Sequence, residues 1–138
     1  MRWWVVALAV CGCPQKPASP SGLRVPLLEG WVATPQGSGL AVGPRGRVVA
    51  SLELRGGAVP AVAELSRAAA AEGATDVLLD EGEGYAAVRY TLAPGHDGFL
   101  AVKRVGARTV WCASVANARE DDVDNALAVC RTLTPEGP

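Results

Sequence analysis

Histidine and aromatic residues are scarce: one His, four Trp, two Tyr and one Phe in 138 residues. With a single histidine, His96, a multi-histidine metal site is excluded and a zinc site lacks ligands. Because Trp3 and Trp4 sit at the very start, the core must be built mainly from Val, Leu and Ala. No basic run with interleaved aromatics occurs and the formal charge is only −1, so nucleic-acid binding has no electrostatic footprint. Gly82-Glu83-Gly84 is a lone fragment with no helix after it, not a phosphate loop. Gln36-Gly37-Ser38-Gly39-Leu40 is not a nucleophile elbow, and no other serine carries that pattern. No apolar run approaches the roughly 20 residues that cross a bilayer as a helix. The sequence therefore assigns no catalytic residue, no cofactor and no metal.

What is present begins at the N-terminus. Met1-Arg2 is a short basic start, residues 3–10 are apolar, and Cys11-Gly12-Cys13-Pro14 follows. A run of that length suits the apolar region of a secretory signal. Val10-Cys11-Gly12-Cys13 resembles the lipobox of bacterial lipoproteins, with an aliphatic residue at −3 and a small one at −1. The resemblance implies a signal peptide over 1–12, lipidation at Cys13, and a location in the bacterial cell envelope, on the periplasmic face of the outer membrane. Leu8-Ala9-Val10-Cys11 is a rival register, in which Val at −1 is larger than the pattern prefers. Cysteine arithmetic favours Cys13: Cys11 leaves with the signal, and Cys112 and Cys130 remain as an even pair in an oxidising compartment.

Residues 13–27 read as the lipidated cysteine and a tether rich in Pro and small polar residues. One domain is expected over 28–134, with a disordered tail at 135–138. Short strands are expected over 29–33, 40–42 and 48–54. In the last of these, Val48, Ala50, Leu52 and Leu54 share a buried face. A helix over 59–72 follows, with Pro60 in its first turn, Gly73 beyond its end, and Val62, Leu65 and Ala69 as its buried stripe. Strands over 75–81, 85–92, 99–105 and 108–115 alternate with glycine-rich turns, among them residues 94–98, and read as an antiparallel meander. The last helix spans 120–133. Glu120, Asp121 and Asp122 complement its dipole, and Val123, Leu127 and Cys130 form its buried stripe. Those acidic residues lack the spacing of a calcium loop.

The fold class is thus α+β: a single domain with an antiparallel sheet of about six or seven short strands and two helices, β-β-β-α-β-β-β-β-α. The order loosely resembles the PsbP-like α/β/α sandwich over residues 28–133, by element order alone and without motif residues. Cys112 in the last strand and Cys130 in the last helix are expected to join as a structural disulfide. A redox pair would sit closer in sequence and near a helix N-terminus.

Few candidate functional residues remain. Trp31 and Trp111 are the possible binding surface, with Trp111 on the sheet face opposite Cys112. His96-Asp97 is the single imidazole–carboxylate neighbourhood. Asp80, Glu81 and Glu83 make an acidic hairpin tip, while Lys103, Arg104 and Arg108, and also Arg45 and Arg47, make basic ones. The expected function is that of a non-enzymatic, lipid-anchored envelope domain with a binding or scaffolding role. Its partners are the membrane, through the anchor, and a protein of the envelope, with no nucleic acid. The alternatives are a small-ligand carrier using a groove between sheet and helix, or a periplasmic hydrolase using His96.

Overall fold

The computed structural model describes residues 22–116 and 118–136. Cys11, Cys13 and the whole lipobox lie outside them. The elements are β1 (Leu23–Arg24), β2 (Trp31–Gln36), β3 (Gly39–Pro44), β4 (Ala50–Arg55), α1 (Val62–Ala71), β5 (Thr75–Gly82), β6 (Tyr85–Ala93), β7 (His96–Val105), β8 (Arg108–Ser114), α2 (Glu120–Arg131) and β9 (Thr134–Pro135). Seven strands form one antiparallel sheet in the order β2-β3-β4-β8-β7-β6-β5, and β1 pairs with β9 separately. The expected α+β order is present, flanked by that extra two-stranded ribbon.

The helices lie on opposite faces, which makes three layers. Phe99, Ala101, Val110, Cys112, Leu52 and Val42 face α2 and pack with its Val123, Ala126 and Cys130. Val88, Tyr90, Ala86 and Val102 face the other way, against Leu65 and Ala69 of α1. Successive strand residues point to opposite faces, so Phe99/Leu100 and Ala101/Val102 serve the two cores in turn. Small alanines in α1 and under it let this slim helix lie close to the sheet.

Several boundaries differ from expectation, each for a local reason. β2 runs through Pro35, which an edge strand tolerates because the missing N–H can face outward. Val48 is 47% exposed and Val49 is buried, so the alternation begins only at Ala50. Gly43 explains part of this: a Cβ there would lie 2.1 Å from the Arg47 carbonyl, so only glycine lets segment 45–49 fold back onto β3. α1 begins at Val62 with Ala61 as N-cap, leaving Pro60 outside the helix rather than in its first turn. Its end has the expected glycine: Gly73 at φ +87° donates to Ala70 O and Ala74 donates to Ala69 O, a Schellman closure. The turn expected over 94–98 shrinks to Pro94-Gly95, and His96 and Asp97 belong to β7.

The described fold also takes in residues beyond the expected domain limits. Leu23 is 3% exposed and joins the α2-side core, and β1 pairs with Thr134 and Pro135. Leu23 and Arg24 of the expected tether thus pair with Pro135 of the expected tail and Thr134 at the domain's end, with Glu136 N–H bonded to Gly22 O at 2.8 Å. The Cys112–Cys130 disulfide is present, with a Cα–Cα distance of 6.5 Å and both residues fully buried. It ties α2 to β8, the central strand of the sheet.

Candidate functional site

Strand register divides the molecule into two poles. The turns at 83–84 and 106–107 and the β1–β9 pair lie at one, where Gly106 approaches Pro135. The loops 45–49 and 94–95, residues 115, 116, 118 and 119, and the start of α2 lie at the other. The described chain therefore enters at the first pole, beside its own C-terminal strand.

The second pole carries an open cleft of about 460 Å³. Segment 47–49 forms one wall, and Val115, Ala116, Ala118 and Arg119 with Asp122 of the first turn of α2 form the other. Val49, Val115 and Ala118 make an apolar floor, and exposed Val48 stands at the lip. Arg47 donates through Nη1 to Asp122, and Arg119 lies 3.9 Å from the same carboxylate oxygen. The Asp122 side chain is 10% exposed, whereas those of Arg47 and Arg119 are 45% and 71% exposed. One buried carboxylate thus bonds Arg47 and lies near Arg119, and both exposed guanidiniums belong to residues that line the opening. An apolar floor under a guanidinium rim suits a group that is part apolar and part hydrogen-bond acceptor.

A second polar cluster braces the adjoining part of α2. Arg89 on β6 reaches Asp97 at 2.8 Å and Asp124 at 2.6 Å, and approaches Glu120 O at 3.5 Å. Burial pulls this guanidinium down, but the bonds to Asp124 and Asp97 outweigh it and hold its pKa above the usual value. Three elements are joined through one side chain.

The residues singled out in the sequence are scattered. Trp31 and Trp111 do not share a surface. Trp31 packs half-buried on the α2 side, and Trp111 packs on the α1 side under the Arg55 guanidinium, 4.5 Å from its ring centroid. His96 sits near the cleft through a bridge to Arg119, but its Nδ1 is buried with no hydrogen-bond partner among the described residues. Asp97 turns instead to Arg89. The acidic tip and the basic tip of Lys103, Arg104 and Arg108 lie side by side at the first pole, with Arg104 N–H on Gly84 O and Asp80 3.1 Å from Arg131, whereas Arg45 and Arg47 lie at the second. Lys103 donates to Arg131 O, and burial lowers its pKa. Arg47 was visible in sequence as part of a basic turn, whereas Val48, Arg119 and Asp122 carried no signal of convergence. Among the described residues no cluster of His, Cys, Asp or Glu could hold a metal ion.

Compared with known proteins, the chain matches no described family, no curated protein and no solved structure. Its functional reading rests on its own residues.

Proposed function

We propose that this protein is a lipid-anchored cell-envelope domain that binds a partner without catalysis, using the cleft at Arg47, Val48 and Arg119. The observation that carries the reading is polarity of the fold. The N-terminal segment enters beside β9, and the cleft opens at the far end of the sheet. A domain anchored through Cys13 would hold its cleft away from the bilayer, where a partner can reach it. The lipobox pattern and the buried disulfide support an oxidising envelope compartment.

The test has two arms. Cys13→Ser or globomycin should release the protein from membranes; unchanged membrane association sinks the anchor. A photo-crosslinking residue at Val48 should give a discrete adduct that Arg119→Glu abolishes. No adduct, or one indifferent to Arg119, sinks the cleft as the binding site. The cleft volume also favours a small-ligand reading, since it falls within the range of ligand pockets. Native mass spectrometry of protein purified from its own membrane would then show a mass that Val48→Asp removes.

A further inference from the structure

The sheet has two edges, and they differ in how they are protected. β2 at one edge carries Pro35 next to its end and exposed polar Thr34 and Gln36, ordinary defences against added strands. β5 at the other edge has no proline, and the charged residues on it are all acidic. Its first half is distorted by a register shift between Thr75 and Leu78, with Asp76 at φ +51°. From Leu78 to Gly82 the strand is regular and has no neighbour on its outer side among the described residues. An edge strand directs alternate N–H and C=O groups outward, ready to pair.

This same stretch carries the two most exposed of the large apolar side chains, Leu78 at 64% and Leu79 at 56%. They are successive strand residues, so one lies on each face of the sheet edge. Around them the strand and its turn carry Asp76, Asp80, Glu81 and Glu83 and no basic residue. Of these, Asp80 is offset by Arg131 of α2. A second copy pairing here would bring two acidic edges together with no cation on either strand. A strand bearing Lys or Arg would meet complementary charge instead, since opposite charges across a ladder stabilise it.

We propose that the β5 edge is a strand-addition site that takes an extended segment of another protein, apolar residues alternating with Lys or Arg, as an eighth strand. The backbone of residues 78–82 supplies the ladder, Leu78 and Leu79 supply apolar contacts on the two faces, and Glu81 selects the basic partner. This surface is separate from the cleft.

The test uses the full-length protein in detergent and a fluorescent octapeptide of alternating Lys and Val. The controls are the Glu/Val octapeptide and the Lys/Val octapeptide N-methylated at alternate residues. Expected are saturable binding of the Lys/Val probe and slowed amide exchange at residues 78–82. Leu79→Lys and Glu81→Lys, both at exposed positions, should each weaken binding at least tenfold, and neither control should bind. No binding, equal binding of either control, or binding without protection of 78–82 overturns the proposal. So does self-association of the protein that itself protects 78–82, because a second copy would then be the occupant.

Discussion

The hydroxyl of Tyr85 is buried and has no hydrogen-bond partner among the described residues. The Arg131 guanidinium lies 5.5 Å from its ring centroid and does not bond to the oxygen. Burial pushes the phenol up from 10.0 to about 12, partly countered by Arg131 and reinforced by Asp80. The folded protein therefore holds this proton more tightly than the unfolded chain does. Its contribution to stability is complete below pH 10 and is lost as the pH rises toward 12. Tyr85→Phe removes an unbonded hydroxyl and should leave stability at pH 7 within about 1 kcal/mol of the parent. Urea midpoints at pH 9 and 11 should fall less between the two in Tyr85→Phe than in the parent; an equal fall would show that another group dominates. Tyr90 is raised too, by burial first and Glu72 second, so some slope remains in the variant.

Among elements, the disulfide joins β8 to α2 across 18 positions. Closing a loop of that length contributes about 3 kcal/mol in the chain-entropy model. Cys112→Ala with Cys130→Ala should lower unfolding stability by about that much, read as a shifted urea midpoint. An unchanged midpoint would mean that packing alone holds α2. Both half-cystines are fully enclosed, so reductant should cleave the bond in the native protein only at the rate of opening. This pairing was legible because both cysteines had a periodic context: Cys112 alternates with Trp111, and Cys130 falls on the stripe of Val123 and Leu127. The strands from β4 to β8 were legible for the same reason. Val48 misled because alternation was extended one pair too far, into a segment that Gly43 allows to fold back. The β1–β9 pair had no local signature, since strands of two residues show no period. The cleft was illegible because its walls lie some seventy positions apart in the chain, as the separation of 75 between Arg47 and Asp122 records.

For the whole molecule, the important geometry is which pole lies near the anchor. Eight residues, 14–21, separate Cys13 from the first described residue, a contour of at most about 30 Å. In lipidated full-length protein reconstituted into vesicles, a donor fluorophore at Ala107 should transfer energy to headgroup acceptors more efficiently than one at Arg45. Equal transfer would mean that the domain has no fixed orientation and would remove the argument for a presented cleft. Layering, poles and strand order depend on pairings between distant segments, which periodicity alone does not reveal. The α/β/α resemblance suggested a helix on each face of the sheet, but element order did not say which strands each helix covers.

The small β1–β9 ribbon has a mechanical consequence. A pull applied through the residues before Gly22 reaches β1 first, and β1 is zipped to β9. From β9 the covalent chain runs back through Leu133 to Cys130, and the disulfide carries the strain into Cys112 of β8. Tension is thus delivered to the middle strand of the sheet and does not peel the edge strand β2 while the ribbon holds. Two strands of two residues act as a strain relief, and the load-bearing strength of the domain is set by the ribbon that would yield first.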